Sequence, residues 1–265
     1  GSAQPGLNST FPEFVRIDLP PLPEQKKIAE ILSGMDRAIN ARRNSAEAIA
    51  RIGNFTAEEL FQRTSVAYNS VKIGDCTCRL WQGINTAADK VEYYERGVPI
   101  LQAKHVTSGR IDSQGARHLS EEDYDKYSER YQPQTGDILF TNIGTIGKSA
   151  LVTDRSRFLI AWNIFLISPS EEIIGEYLQY FLQSLDRRNY FHEHAAGNAT
   201  KFINKTLISE LEVPLPPKEQ QIKICNRIRA ASKAEESERN GITKYMELKR
   251  SLASELLSGR KRVSI

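Results

Sequence analysis

Four short segments in the middle of the chain carry side chains that could read DNA. Asn and Gln can form paired hydrogen bonds with adenine, Arg and Lys can do so with guanine, and Lys, Arg, Ser and Thr bind phosphates. The segments supply Arg79, Gln82, Asn85 and Thr86; Lys104, His105 and Thr107; Asn142, Thr145 and Lys148; and Asn198, Thr200, Lys201 and Lys205. Any one of these could be an ordinary solvated loop residue, so the prediction of a DNA-binding surface rests on the set.

Two motifs come near catalytic or metal sites without matching them. The run from Gly144 to Lys148 lacks the glycine spacing of a nucleotide phosphate loop, which favours a turn between strands. His192 and His194 lie two residues apart, whereas the zinc-protease helix motif places its histidines four apart on one face. We therefore predict no catalytic residue, no metal site and no cofactor. A small phosphate-handling hydrolase using this turn and these histidines is one alternative.

The bulk composition is that of an ordinary globular protein. The 265 residues are 40% hydrophobic and 26% charged, and the net charge of +3 permits nucleic-acid binding without arguing for it. Cys76, Cys78 and Cys225 form neither a disulfide framework nor a zinc set, which favours a reducing, cytoplasmic location. No apolar run approaches the ~18 residues of a membrane helix, and the first residues lack a signal-peptide pattern.

An internal repeat organises the chain. Three residues near the start recur at a constant spacing of 196 positions: Asn8, Thr10 and Pro20 correspond to Asn204, Thr206 and Pro216. Both copies continue through a proline pair to Glu-Gln, at Glu24-Gln25 and at Glu219-Gln220. A shared offset over this length indicates one structural unit that occurs twice.

A long helix is predicted after each Glu-Gln. Residues spaced alternately by four and three run from Ile28 to Leu60 and from Ile224 to Leu256, mostly apolar but with polar residues in the middle of each run. This is the period of a helix that packs along another helix. Prolines before each start suit a helix beginning, and Gly259 suits the end of the second helix. Because a long helix with a narrow apolar stripe is unstable alone, the two helices are expected to pair.

The block between the two helices has a different sequence pattern. Short β-rich runs such as Val98–Leu101, Asp137–Phe140 and Phe158–Ile160 alternate with turn residues, and one amphipathic helix is predicted over Ile174–Leu185. The fold class is therefore α+β, with one mixed domain between two long helices. The predicted divisions are residues 1–17, 18–65, 66–213 and 214–265.

The repeated helical unit and the middle block resemble the specificity subunit of type I restriction-modification systems. The repeat matches the helical, so-called conserved regions of that family, and the block resembles one of its target-recognition domains. The matching motifs follow the family order: Ile73-Gly74-Asp75, Gly83-Ile84-Asn85, Val98–Leu101 with Val106 and Gly109, Gly136–Leu139, Gly144–Gly147, Asn163 and Gly197–Thr200. The tail from Leu248 to Arg260 is also similar to the family's C-terminal end.

The resemblance implies a non-catalytic subunit that directs its partners to double-stranded DNA. Full-length members carry two recognition domains spaced by an antiparallel coiled coil, and each domain reads half of a split site. Here residues 1–17 match only the tail of a recognition domain, so we expect a half-length form. Two copies joined through the long helices would read a palindromic split site. The expected partners are methyltransferase subunits and, through the complex, restriction subunits, with no membrane. A coiled-coil scaffold that binds protein and not DNA is the other alternative.

Overall fold

The computed structural model describes residues 19–107, 109–155, 157–197 and 199–263. The chain divides into two compact units. We call residues 52–231 the compact unit, and the described parts of 1–51 and 232–265 the helical unit. The segment 1–17, interpreted as the tail of a recognition domain, lies outside the described residues. The domain divisions given above remain a proposal.

Both predicted long helices are present, and each contributes to both units. Helix α1 spans Leu22–Ala67 and is 46 residues long, whereas α6 spans Lys218–Leu257 and is 40 residues long. Each begins just after a proline pair, where the chain cannot continue a helix backwards. Beyond α6, Gly259 has a φ of +70°, a conformation that suits a glycine after a helix end.

Within the helical unit the two helices run antiparallel. Asp36 pairs with Lys249 and Arg42 pairs with Glu238, so residue numbers rise on one helix as they fall on the other. Ile28, Ile39 and Ala46 are buried at positions of the predicted seam, as is Leu256. The two copies of the repeat thus form one helix pair.

The compact unit contains four small sheets. The strands are β1 Ser70–Lys72, β2 Thr77–Gln82, β3 Val98–Leu101, β4 Val106–Thr107, β5 Arg110–Ile111, β6 Arg117–Leu119, β7 Ile138–Thr141, β8 Ser149–Leu151, β9 Leu159–Ile160, β10 Ile164–Pro169 and β11 Glu212–Pro214. An antiparallel sheet has the order β2-β10-β7-β8, and a mixed one has the order β6-β3-β9. Two antiparallel pairs, β1-β11 and β4-β5, complete the set among the described residues.

Helices and turns cover these sheets. They are α2 Glu121–Tyr131, α3 Gly175–Arg187, α4 Tyr190–Glu193 and α5 Lys205–Glu210, with 3₁₀ turns at Ile73–Cys76 and Ala103–His105. The predicted amphipathic helix is present as α3, and the α+β class is confirmed. The sequence analysis did not predict α2, although Ser120 caps it by accepting a hydrogen bond from Asp123 N.

The main apolar core joins the sheet, α3 and the end of α1. Phe140 and Phe165 of the four-stranded sheet and Tyr177 of α3 are almost completely buried. Phe61 of α1 enters the same core, with its ring 5.3 Å from the Tyr177 ring and 5.5 Å from the Phe181 ring. The C-terminal end of α1 therefore belongs to the compact unit. Among the described residues, no helix combines the length and apolarity needed to cross a membrane.

Candidate nucleic-acid interface

The predicted DNA-reading residues lie in four segments of the compact unit, which we call the reading loops. The first covers residues 79–86, the second 102–107, the third 141–148 and the fourth 196–205. Each lies at or just beyond a strand end or a short 3₁₀ or α-helical turn. The rest of the compact unit fixes their spacing.

In the first loop, Arg79 is engaged inside the protein. Its guanidinium donates to Asp137 Oδ2 at 2.7 Å and to Ser168 Oγ at 2.7 Å. The side chain is 17% exposed and that of Asp137 only 6% exposed. Asp137 also accepts from Gln134 N at 2.7 Å, so this carboxylate organises its own turn. In this conformation Arg79 has a structural partner, and its role in base reading remains a prediction.

The other residues of the first loop are more accessible. Gln82 is exposed, but its Nε2 donates to Trp162 O at 2.6 Å, which leaves Oε1 as its free acceptor. Asn85 is exposed, and its Oδ1 accepts from Ala88 N at 3.2 Å, as in an Asx turn. Thr86 is half-buried. The amide NH2 group of Asn85 can therefore still face a base.

The second loop separates one buried residue from two exposed ones. His105 is only 4% exposed, and its Nδ1 accepts from Gln102 N at 2.8 Å. Burial, helped by the charge of Lys104, lowers the pKa of His105, so the ring is neutral at neutral pH. Lys104 and Thr107 are exposed. Of the three predicted residues in this loop, these two can reach DNA, whereas His105 shapes the turn.

The third loop is built on glycine-dependent turns. Gly144 and Gly147 have φ values of +81° and +84°, which favour glycine. A Cβ on Gly147 would lie 2.8 Å from Asp186 Oδ1, so the backbone there also packs too tightly for a side chain. Thr145 is exposed between the glycines, and Lys148 Nζ is paired with Asp186 at 2.7 Å.

Asn142 anchors the third loop to the fourth. It is 1% exposed, and its backbone O accepts from Ile203 N at 2.8 Å. An antiparallel bridge joins Ile143 to Phe202, so the two loops lie side by side. The burial of the Asn142 side chain places it beneath the surface in this conformation, and its predicted base contact remains untested.

The fourth loop presents cations and an aromatic ring. Thr200, Lys201 and Lys205 are exposed, whereas Asn198 lies outside the described residues. Phe202, which the sequence analysis did not select, is 39% exposed between them. Trp162, also not selected, is 42% exposed next to the first loop. Exposed aromatic residues carry no periodic signal in sequence, so only the structure identifies them.

The exposed members define what the surface can do chemically. They combine amide and hydroxyl groups with lysines: Gln82, Asn85, Lys104, Thr107, Thr145, Thr200, Lys201 and Lys205. Such a set suits hydrogen bonding to bases together with phosphate binding. Within the described ranges no group of His, Cys, Asp and Glu is arranged to hold a metal ion.

Several known proteins are similar to this chain. Residues 1–48 and 81–244 match the family model described as the type I restriction modification DNA specificity domain. The chain is 25% identical over 280 residues to the type I restriction enzyme MjaVIII specificity subunit of Methanocaldococcus jannaschii, covering 99% of this chain and 66% of that protein. It is 24% identical over 284 residues to the EcoBI specificity subunit of Escherichia coli, covering 96% of this chain and 60% of that protein.

A solved structure shares the fold. The HsdS subunit from Thermoanaerobacter tengcongensis superposes with a TM-score of 0.58 at 17% identity, over 98% of this chain and 64% of that one. The chain thus spans less than two thirds of the length of each of these three proteins.

Proposed function

Because the chain belongs to the family of type I restriction-modification DNA specificity domains, we propose that its reading loops bind one part of a bipartite DNA site. Membership confirms the family resemblance seen in the sequence, and it supports the proposal that the chain acts as a DNA-recognition subunit without catalytic activity of its own. The observation that supports the proposal is the meeting of exposed amides, hydroxyls and lysines in adjoining loops of the compact unit.

The exposed residues divide by chemistry into two groups. Lys104, Lys201 and Lys205 carry charge without a planar hydrogen-bonding face, so they suit phosphates. Gln82 and Asn85 carry amides, which can read adenine through paired bonds. We therefore expect the lysines to set affinity and the amides to set sequence preference.

Two copies of the chain would complete the bipartite site. The chain as described contains one set of reading loops and one antiparallel helix pair. Association of two copies through their long helices would relate two sets of loops by a twofold axis, and the target would then be a split palindrome.

Methyltransferase subunits are the proposed partners on the helices, and restriction subunits would join through them. Ile52 and Phe55 lie one turn apart on α1 and are 66% and 68% exposed. Two large apolar side chains facing water on one helix suit a protein partner more than DNA. A role of this kind also places the chain in the cytoplasm, together with the DNA.

The deciding experiment is to co-express the chain with its methyltransferase subunit and map methylated adenines across the host genome. A split palindromic motif would support both the reading function and the two-copy assembly. Lys201→Ala should lower methylation at all sites and reduce the salt dependence of DNA binding. Gln82→Ala should instead alter the motif. Lys126→Ala, an exposed lysine of α2 outside the reading loops, is the control and should change neither.

Two results would contradict the proposal. Absence of any motif, with the complex shown to form, would favour a protein-binding scaffold. Binding that ignores salt would point the same way, because phosphate contacts release counterions and make DNA affinity fall steeply as salt rises.

A further inference from the structure

Three residues, Ala161 to Asn163, connect the two larger sheets of the compact unit. They join β9, which pairs with β3, to β10, which lies between β2 and β7. The connection is tight, since a Cβ on Gly83 would lie 2.5 Å from the backbone oxygens of Ile160 and Ala161. The chain therefore passes from one sheet to the other in a fixed path.

The backbone of Trp162 is held by the first reading loop on both sides. Its N donates to Ile84 O at 2.8 Å, and its O accepts from Gln82 Nε2 at 2.6 Å. Both backbone polar groups of this residue are thus satisfied by one loop. This fixes the direction in which the side chain leaves the backbone.

Asn163 reaches the second and third loops. Its side-chain Oδ1 accepts from Ala103 N at 3.2 Å, and its backbone O accepts from Asn142 N at 3.2 Å. Asn142 in turn accepts from Ile203 N of the fourth loop at 2.8 Å. A single residue therefore contacts two reading loops directly and a third through one intermediate.

The indole of Trp162 is large, apolar and 42% exposed, on a backbone that is fully held. A rigid aromatic side chain offers much contact area at a small loss of conformational entropy, which is why Trp is enriched among residues that dominate binding. Phe202 of the fourth loop, 39% exposed, is a second aromatic in the same set of loops. Exposure of both rings to water is unfavourable in free energy, and covering them by a binding partner would remove that cost.

We propose that Trp162 contacts the DNA directly, and that Asn163 is a positioning residue that sets the spacing of the reading loops. This inference rests on the proposed DNA-reading function. Substitutions of the two residues should affect different properties of DNA binding. Loss of Trp162 removes contact area and weakens binding, whereas loss of the Asn163 acceptor displaces loops and weakens discrimination between sequences.

The test of Trp162 measures the Kd of the complex with methyltransferase for a duplex carrying the mapped motif. Trp162→Ala should weaken binding roughly tenfold or more, while Trp162→Phe should recover part of the loss. The thermal midpoint is measured alongside, because Trp162 is only 42% exposed and a loss of stability must be separated from a loss of affinity. Tyr94→Ala is the matched control, since Tyr94 is 46% exposed but its hydrogen bonds go to Glu92 and His118 and not to the reading loops. Wild-type affinity in Trp162→Ala would overturn this half of the proposal.

A spectroscopic test does not depend on the Ala variant folding. The sequence holds two tryptophans, so in Trp81→Phe the fluorescence of the full chain comes from Trp162 alone. Adding the motif duplex should protect this fluorescence from quenching by acrylamide. Equal quenching with and without bound DNA would overturn the contact.

The test of Asn163 compares binding to the motif with binding to duplexes that carry single base-pair changes. Asn163→Leu has a similar size but no acceptor for Ala103 N, and discrimination should fall roughly tenfold. Asn163→Asp keeps an acceptor, so discrimination should survive even though the added charge weakens binding to every duplex. Full discrimination in Asn163→Leu, or equal loss in both variants, would overturn the positioning role. If the unchanged chain binds no motif at all, the proposed function itself fails, which is a distinguishable result.

Discussion

Different interactions stabilise the helical unit and the compact unit. In the helical unit the described buried apolar side chains are few and aliphatic, such as Ile28, Ile39 and Leu256, and ion pairs also join the two helices. In the compact unit the described buried residues form three apolar clusters, and the largest combines many aliphatic side chains with aromatic ones such as Phe140 and Tyr177, which are fully enclosed. Dispersion and burial dominate the second unit, whereas the first depends on a thin apolar seam and on charge pairing.

The polar centre of the helical seam shows what this difference achieves. Arg42 Nη1 pairs with Glu238 Oε2 at 2.9 Å, and these positions are 196 residues apart, the same offset as between the seam positions Ile28 and Ile224. Equivalent positions of the two copies thus meet with opposite charges. Pairing of α1 with α6 is favoured by this contact, whereas α1 against a second α1 would bring two Arg42 side chains together. The charges at this position favour pairing of α1 with α6 over pairing of two α1 helices. Polar residues here also reduce the apolar area that the seam buries.

The largest expected effect is loss of the aromatic contact that ties α1 to the compact core. Phe61→Ala removes a 5% exposed ring that packs on Tyr177 and Phe181. We expect the free energy of unfolding to fall by about 3–5 kcal/mol, measured by urea denaturation. Phe55→Ala on the same helix is the matched control, because Phe55 is 68% exposed, and should cost less than about 0.5 kcal/mol. Equal losses would mean that α1 is not part of the compact core.

The next effect comes from the buried ion pair of Arg79 and Asp137. Arg79→Met leaves the Asp137 carboxylate, 6% exposed, without its cation. We expect a loss of about 3 kcal/mol in unfolding free energy, and part of it should return in the double variant Arg79→Met with Asp137→Leu. The exposed pair of Lys72 and Glu210 is the comparison, and Lys72→Met should have no measurable effect on stability. A stable Arg79→Met protein that fails to bind DNA would instead assign Arg79 to the interface.

A smaller effect is expected in the helical unit. Arg42 and Glu238 are 37% and 27% exposed, so solvent screens much of their attraction. Arg42→Glu and Glu238→Arg should each lower the unfolding free energy by about 0.5–1 kcal/mol. The double reversal should restore it, because the opposite charges then meet again. Failure of the double variant to recover would show that Arg42 acts through its contact with the Tyr245 ring, 5.1 Å away, and not through charge.

The difference between the two units also explains which parts of the fold could be predicted from the sequence. Both long helices, their proline entries and the helix α3 follow from local periodicity, which requires no knowledge of distant residues. Helix α2 was missed although its signal, Ser120 followed by Glu121, Glu122 and Asp123, is local. Nearly all of its apolar contacts come from tyrosines, which weaken the helical hydrophobic pattern.

The four predicted segments lie at strand ends and short turns of the compact unit, but the burial and the bonding partners of their residues could not be predicted from the sequence. Arg79 pairs with a residue 58 positions away, and Lys148 with one 38 positions away. Burial of Asn142 and exposure of Trp162 likewise depend on which strands become neighbours. Residue type and local spacing carry no information about such partners, so polar residues that bind each other look the same in sequence as polar residues that face DNA.

The last prediction concerns the three cysteines, Cys76, Cys78 and Cys225, all of which lie in the compact unit. Thiol labelling therefore reports on that unit alone, whereas far-ultraviolet circular dichroism is dominated by the long helices. Burial raises the pKa of Cys76 to about 11 and that of Cys225 to about 12, so both remain protonated thiols near neutral pH, and only exposed Cys78 should react with an alkylating reagent before unfolding.

The raised pKa values also fix the sign of the pH dependence. A thiol that ionises more easily in the unfolded chain contributes its full stability below its ordinary pKa and loses it as pH rises towards the folded value. Relative to the double variant Cys76→Ala with Cys225→Ala, the unchanged protein should lose on the order of 1 kcal/mol between pH 8 and pH 10, measured by urea denaturation followed through the fluorescence of the two tryptophans, both of which lie in the compact unit. Parallel pH profiles for the two proteins would show that these thiols are more hydrated than their burial indicates.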